Sequence, residues 1–323
     1  MKKISVLLIL FFGIIDFYSE ESCCHATDLF DPGLAEISVK VKNEIIPFKE
    51  FALYVLPGEM INCEIYKSPE PELFFIVVSE GPFRVRTRNK WSWTAPDKTG
   101  VYSIVISNEA GENQMTLNIF VMLPFSQLKG EFLNGFRIGH YPNTAYQQLA
   151  IYEKPTGFIE ITSQNENTRI SPHFRIKQFL SKQKGDFPKY LVLKERLLLK
   201  LELILGKTNE KGLYAPTFEI MSGYRTPYYN KLIGNVKYSR HLWGGAADIF
   251  IDENPKDGIM DDINGDGIYD YQDAGVLYDI VDELYGKPYY NLLVGGLGRY
   301  TRTRHHGPFV HVDVRGVKVR WGD

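Results

Sequence analysis

The sequence is poor in cysteine, with only three in 323 residues. Cys23 and Cys24 are adjacent near the N-terminus, and no Leu-x-x-Cys lipoprotein pattern precedes them. Cys63 is the third, so the chain has no set of spaced cysteines from which a framework of disulfides is built. The same scarcity excludes a cysteine-based zinc site, which needs several closely spaced thiolates.

An excess of charge of one sign is also absent, and long apolar runs are scarce. The formal net charge is -2, which disfavours a nucleic-acid partner. An apolar run at residues 4–15 follows Lys2 and Lys3 and is too short to span a bilayer comfortably. These features predict a signal peptide over residues 1–26, with an uncleaved N-terminal anchor as the alternative. In both cases we expect the rest of the chain to be exported to the periplasm, the cell envelope or the exterior, and after cleavage we expect no stable membrane insertion.

Residues 35–123 have the pattern of an all-β domain. Residues 115–121 alternate apolar and polar side chains as a half-buried strand does, and residues 101–106 form another candidate strand. Turns rich in Gly, Pro, Asp and Asn separate such runs. Short strands at this spacing predict an immunoglobulin-like β-sandwich with Trp91 and Trp93 in its core. We expect this domain to contact a protein or cell-wall partner and to carry no chemistry.

Residues 124–170 are rich in glycine, proline and aromatic side chains, and they predict a connecting region before a second domain at 171–323. Ser171-Pro172 predicts a helix start, because a serine cap followed by proline is favourable there. A stripe of leucines between residues 193 and 205 predicts a buried helix. The length of the chain agrees with two or three domains.

The C-terminal region contains two segments with residues that can bind a metal. His241 precedes Asp248 by a stretch of small residues that would let the backbone pass close to an ion. His311 lies in an apolar run in which it shares one strand face with Asp313. Imidazole and carboxylate are ligands that zinc prefers, and a catalytic zinc keeps three protein ligands and a water. Spacing alone leaves two interpretations open: a three-ligand zinc site, or ordinary structural histidines.

The motifs around these residues resemble those of a known family. Ser-Arg-His241-x-x-Gly-x-Ala-x-Asp248, preceded by Ser-Gly-Tyr-Arg225-Thr-Pro and followed by Phe-Val-His311-Val-Asp, resembles the zinc D-alanyl-D-alanine metallopeptidases. That group shares a fold with lysostaphin-type peptidases and the hedgehog signalling domain, and its murein endopeptidase branch is the most similar. The resemblance extends over the region 170–323. It implies an α+β zinc peptidase domain in which His241, Asp248 and His311 bind zinc and a metal-activated water cleaves peptide bonds in peptidoglycan stem peptides.

Arg225 occupies the position where such enzymes place an arginine that faces the carboxylate of the substrate peptide. A bidentate arginine–carboxylate pair suits that task. The alternative is a structural salt bridge.

The general base is the part of the family pattern that this sequence does not reproduce. Relatives often carry an acidic residue three positions before the last zinc ligand, or a histidine two before it, and here those positions are Pro308 and Phe309. Asp313 is the best substitute, because strand alternation returns it to the face of His311. His306 is the second candidate. A third arrangement has Asp313 binding zinc and His311 taking the proton.

Residues 262–273 predict a calcium loop. Calcium prefers six to eight hard oxygen ligands, and such loops place them at fixed positions around a glycine that permits a sharp turn, here Gly267. An ordinary solvated turn is the alternative. The predicted ligands, with the backbone carbonyl serving at the fourth of them, are Asp262, Asn264, Asp266, Ile268, Asp270 and Asp273.

The sequence therefore predicts an exported zinc peptidase of the DD-carboxypeptidase or murein endopeptidase type, with Zn²⁺ and Ca²⁺ as its metals. Its fold is expected to be an α+β hedgehog/DD-peptidase-like domain preceded by an all-β immunoglobulin-like sandwich. The alternative is a non-catalytic cell-wall binding or scaffold protein that keeps the zinc fold. That alternative is favoured by Pro308 and Phe309, which stand where relatives carry the acidic residue or the histidine.

Overall fold

The computed structural model describes residues 30–67, 74–108 and 114–322. The predicted signal peptide, with Cys23 and Cys24, lies outside these residues, so export stays a prediction. Within the described part of the chain, no helix combines the length and the apolar character that crossing a membrane requires.

The N-terminal region forms two sheets whose buried side chains belong to one continuous hydrophobic core. Its strands are β1 (Leu34–Val41), β2 (Glu44–Phe48), β3 (Glu50–Val55), β4 (Met60–Lys67), β5 (Phe74–Val78), β6 (Phe83–Thr87), β7 (Lys90–Thr94), β8 (Gly100–Asn108) and β9 (Gln114–Val121). The strand orders are β2-β1-β4-β7-β6 and β3-β9-β8-β5, with β3 parallel to β9. Trp91 and Trp93 on β7 are buried as predicted. The immunoglobulin-like class of this region stays a prediction.

Short strands and turns fill the middle of the chain. They are β10 (Leu123–Pro124), β11 (Phe132–Leu133), β12 (Phe136–Arg137), β13 (Gly157–Ile161), β14 (Arg169–Ser171), β15 (Phe174–Arg175) and β16 (Lys189–Leu191). The prediction of a helix start at Ser171-Pro172 is wrong. Ser171 ends β14 and pairs with Phe174 of β15, because Pro172 and His173 form the turn of a hairpin.

The C-terminal region is a five-stranded sheet with helices packed against it. Its elements are α1 (Glu195–Glu210), β17 (Glu219–Ser222), α2 (Pro227–Leu232), β18 (Ala246–Phe250), α3 (Tyr271–Glu283), β19 (Gly296–Tyr300), β20 (Phe309–Asp313) and β21 (Val319–Trp321). The leucine stripe is confirmed as the buried face of α1. Short 3₁₀ helices complete the chain at Phe125–Gln127, Tyr146–Gln148, Ala150–Tyr152, Ile176–Phe179, Arg240–Trp243 and Pro288–Leu293.

The strand order of this sheet, β17-β18-β20-β19-β21, positions the site. Asp248 of β18 lies opposite His311 of the central strand β20, and His311 lies opposite Gly298 of β19. The hydrogen-bonding register therefore brings two predicted ligands together on neighbouring strands.

Helix α1 joins the two regions at its N-terminal end. Glu195 accepts hydrogen bonds from the ammonium of Lys42 and from the backbone amide of Tyr54, and Arg196 pairs with Glu44. The two β-region partners of Glu195 thus fix the start of the helix.

Candidate metal centre

Three elements deliver the three predicted zinc ligands to one point. His241 lies in the 3₁₀ helix Arg240–Trp243, which ends at Gly244 with a left-handed backbone (φ 61°). A Cβ at Gly244 would stand 2.1 Å from the carbonyl oxygen of Val192, so only glycine allows this turn to pack there. Asp248 and His311 come from β18 and β20, and all three side chains are buried.

The ligand atoms are spaced as a zinc ion requires. His241 Nε2 is 3.2 Å from Asp248 Oδ1 and 3.3 Å from His311 Nδ1, and His311 Nδ1 is 2.7 Å from Asp248 Oδ1. Around a tetrahedral zinc with bonds of ~2.0–2.1 Å, ligand atoms lie about 3.3 Å apart. The two separations measured from His241 Nε2 match this value. The distance between His311 Nδ1 and Asp248 Oδ1 would widen by roughly half an ångström when an ion binds between them. Within the described part of the chain, these residues are the one group of three such side chains close enough to hold a metal.

In each of the two imidazoles, one ring nitrogen faces the cluster and the other is directed at a protein oxygen atom. His241 Nδ1 donates to the carbonyl oxygen of Gly223 at 2.6 Å, so its Nε2 keeps a lone pair that faces the cluster. His311 directs Nδ1 at Asp248, while its Nε2 is 3.4 Å from Asp313 Oδ2. A metal-bound imidazole commonly has its second nitrogen fixed by a carbonyl or carboxylate in this way.

The charges in the cluster also fit a cation. Burial lowers the pKa of His241, which favours the neutral imidazole that a metal ion needs as a ligand. Burial alone would raise the pKa of Asp248, but His241 and His311 outweigh it and hold that pKa well below its usual range. Burial opposes a proton on His311, yet hydrogen bonds to Asp248 and Asp313 prevail and raise its pKa. A metal ion would replace that proton as the partner of the Asp248 carboxylate.

Residues 182–269 match the family described as Peptidase M15. The match supports the zinc D-Ala-D-Ala peptidase family, and thus at family level a zinc-dependent metallopeptidase that acts on peptidoglycan. It includes His241 and Asp248, whereas His311 lies beyond its end and is joined to them by the geometry of the sheet. The murein endopeptidase branch stays a prediction. No match to a curated protein was found.

Arg225, which the Peptidase M15 match also includes, forms a buried salt bridge with Asp248 on the side away from the two histidines. Its Nη2 donates to Asp248 Oδ2 at 2.6 Å, and its Nε donates to Ser222 Oγ at 2.7 Å. Asp248 therefore offers one oxygen to the cluster and the other to the arginine. The structural salt bridge that the sequence left as an alternative is present, although Arg225 also lines the cavity beside the ligands. Its predicted role towards the substrate carboxylate stays a prediction.

Asp313 lies on the face of His311 that the sequence predicted, but on the far side of the imidazole ring from the cluster. Its carboxylate accepts bonds from the Arg315 guanidinium and from the backbone amide of Gly296, and its side chain is fully buried. It is not among the residues that line the cavity. This position suits a residue that orients His311 and does not suit a base that reaches a water on the ligand side, nor a zinc ligand in place of His311.

The cluster opens into a cavity of about 880 Å³. His306, the second predicted base, lines this cavity together with His305, Tyr300 and Trp321. His306 Nδ1 donates to the carbonyl oxygen of Gly307 at 2.8 Å, so in the neutral ring Nε2 is the nitrogen able to accept a proton. The sequence reasoning missed Tyr300 and Trp321. The alternation of β19, which places Tyr300 on the face of Gly298, was the signal that could have found the first of them.

The predicted calcium loop bends at residues 264–267 and again at Asp270, immediately before α3. Its first and last carboxylates, Asp262 and Asp273, accept hydrogen bonds from backbone amides of the loop. The other predicted positions bond within the loop or cap the helix: Asn264, Asp266, Ile268 and Asp270. Calcium at this loop stays a prediction, which calorimetry of the protein with calcium and with a calcium chelator would test.

Proposed function

We propose that this chain is an exported zinc peptidase that hydrolyses peptide bonds in peptidoglycan stem peptides. The observation that carries the proposal is the buried His241–Asp248–His311 cluster, spaced for zinc at the wall of a large cavity. The Peptidase M15 match supplies the substrate class. A bound zinc would lower the pKa of a coordinated water towards about 7 and polarise the carbonyl under attack.

The residues around the cluster orient the metal ligands and transfer protons. Arg225 and Asp313 orient two of the ligands, Asp248 and His311, through the contacts described above. His306 takes the proton of the attacking water at Nε2 and returns it to the leaving amine. Its place at the cavity wall supports this role, which replaces the one first given to Asp313.

A direct assay tests the proposal. Purified protein incubated with stem peptides and with crosslinked muropeptides should release products that a chelator abolishes and added zinc restores, as read by mass spectrometry. Loss of one terminal D-Ala would indicate a carboxypeptidase, and conversion of crosslinked dimers to monomers an endopeptidase. Zinc-loaded protein without any chelator-sensitive product would instead support the non-catalytic scaffold, the reading favoured by Pro308 and Phe309.

The role of His306 gives a prediction with a built-in control. His306→Ala should lower kcat by about a hundredfold or more, because a positioned general base contributes 10²–10⁴-fold. Zinc content, measured by atomic absorption, should stay at the wild-type level. His305→Ala removes the neighbouring imidazole from the same loop and should retain most of the activity. If His306→Ala is as active as His305→Ala and the wild type, His306 is not the general base.

A further inference from the structure

Tyr300 is a cavity residue that the proposed mechanism has not yet used. It ends β19, pairs with Phe309 of β20, and stacks its ring on that of Phe309 with centroids 4.5 Å apart. Because side chains two residues apart on a strand share a face, Tyr300 lies on the same face as Gly298, the cross-strand partner of His311. Its side chain is partly exposed and lines the cavity that contains the metal cluster.

The hydroxyl of Tyr300 is held by a donor, which leaves its own proton available. Trp321 Nε1 donates to Tyr300 Oη at 2.8 Å. An indole nitrogen can only donate, so the phenol oxygen is the acceptor and its O–H remains able to bond to another group. The indole ring is itself fixed, since it packs 5.1 Å from the His311 ring and over Gly298, where a Cβ would come within 2.2 Å of it.

The surroundings keep this hydroxyl protonated. Burial raises the pKa of Tyr300, the bond from Trp321 opposes that shift, and the negative charge of Asp248 adds to it. The phenol lines the same cavity as His241, Asp248 and His311. Of the three arginines that line the cavity among the described residues, Arg225 pairs with Asp248, Arg315 pairs with Asp313, and Arg240 donates to the carbonyl oxygen of Ile151.

We propose that Tyr300 Oη donates a hydrogen bond to the carbonyl oxygen of the scissile peptide bond as negative charge develops there. This inference rests on the proposed function. When the oxygen of water bonds to the carbonyl carbon, the π electron pair moves onto the carbonyl oxygen and the water proton goes to the base. Tyr300 keeps its proton throughout and forms no covalent bond. A donor aimed at this oxygen is worth more in the transition state than in the bound substrate, which is the requirement for catalysis.

Tyr300→Phe removes the donor and keeps the ring that stacks on Phe309. We expect kcat to fall about a hundredfold, the usual effect of losing one such donor, with KM and zinc content unchanged. The second readout is binding without turnover. A phosphinate analogue of D-alanyl-D-alanine, which imitates the tetrahedral transition state, should bind the zinc-loaded variant about as much more weakly as kcat has fallen. The dipeptide D-alanyl-D-alanine should bind the metal-free variant, which cannot cleave it, as it binds the metal-free wild type.

Trp321→Phe tests the anchor of the hydroxyl. Alone it should lower kcat by less than Tyr300→Phe does, and combined with Tyr300→Phe it should add little, because both act through one hydroxyl. Tyr289→Phe, at an exposed tyrosine of the Pro288–Leu293 helix, is the matched control and should behave as the wild type.

Two results would overturn the inference. If the wild type cleaves stem peptides and Tyr300→Phe cleaves them equally fast with unchanged phosphinate affinity, the donor role is wrong and the proposed function stands. If the zinc-loaded wild type neither cleaves stem peptides nor binds the phosphinate, the proposed function fails and this inference fails with it.

Discussion

Asp248→Asn should abolish zinc binding and peptidase activity together and destabilise the metal-free protein. Asp248 Oδ1 faces His241 and His311, and Oδ2 accepts the bond from Arg225. An asparagine amide must turn its NH₂ either towards the metal, where it is a poor ligand, or towards the guanidinium, where two donors would meet. In both orientations Arg225 keeps a buried charge without a charged partner. Breaking such a buried pair costs about 3–5 kcal/mol of the free energy of unfolding.

Zinc per chain by atomic absorption, turnover of stem peptides, and denaturant unfolding of the metal-free protein measure these effects. Asp252→Asn is the control, because Asp252 is also buried and follows the same strand, but its carboxylate accepts hydrogen bonds from the backbone amides of Asp257 and Gly258 and lies outside the metal cluster. It should keep its zinc. An Asp248→Asn protein with one zinc per chain and normal turnover would contradict the assignment of the metal centre.

The stability of the protein should rise with pH between about 7 and 9.5, and Lys200 should be a main cause. Lys200 on α1 is buried, its ammonium donates to the backbone carbonyl of Asp313 at 2.7 Å, and no carboxylate of the described residues forms an ion pair with it. Burial lowers its pKa to about 7, against the partial opposition of the Asp313 charge. The unfolded chain holds the proton up to a pKa of about 10.4, so it binds more protons than the folded protein across this window. The free energy of unfolding therefore gains up to about 1.4 kcal/mol per pH unit.

Lys200→Met retains the volume of the side chain and removes the titration. Urea unfolding at half-unit pH steps should show a much flatter pH dependence for this variant, and a higher stability than the wild type near pH 7. Lys207→Met is the matched control on the same helix, since Lys207 forms a surface pair with Glu210 and should leave the slope unchanged. A wild type and a Lys200→Met protein with parallel stability curves would show that the buried ammonium does not titrate in this range.

Local patterns predicted the local structure well. The alternation of residues 115–121 became β9, whose Met115, Leu117 and Ile119 are fully buried, and the leucine stripe became the inner face of α1. These predictions succeeded because the period of apolar side chains is set within the segment itself. The motif blocks likewise predicted the residues of the metal cluster, with the family resemblance deciding between two readings that spacing had left open.

The rest depended on contacts between distant segments. Ser171 looks like a helix cap, but pairing with Phe174 commits it to a hairpin. Strand alternation placed Asp313 on the face of His311, yet only the tertiary structure shows which side of the imidazole faces the cluster. The meeting of Tyr300 with Trp321 requires the parallel pairing of β19 with β21, which no local pattern reveals.

The cross-strand pairing of Asp248 with His311 has a practical consequence for work on this protein. Shifting one of the two strands by a single residue would turn its ligand to the opposite face of the sheet, and the centre would lose a member. Zinc binding would therefore also report correct folding. Titrating a refolded sample with zinc would give the fraction of molecules in which β18 and β20 are paired in the native register.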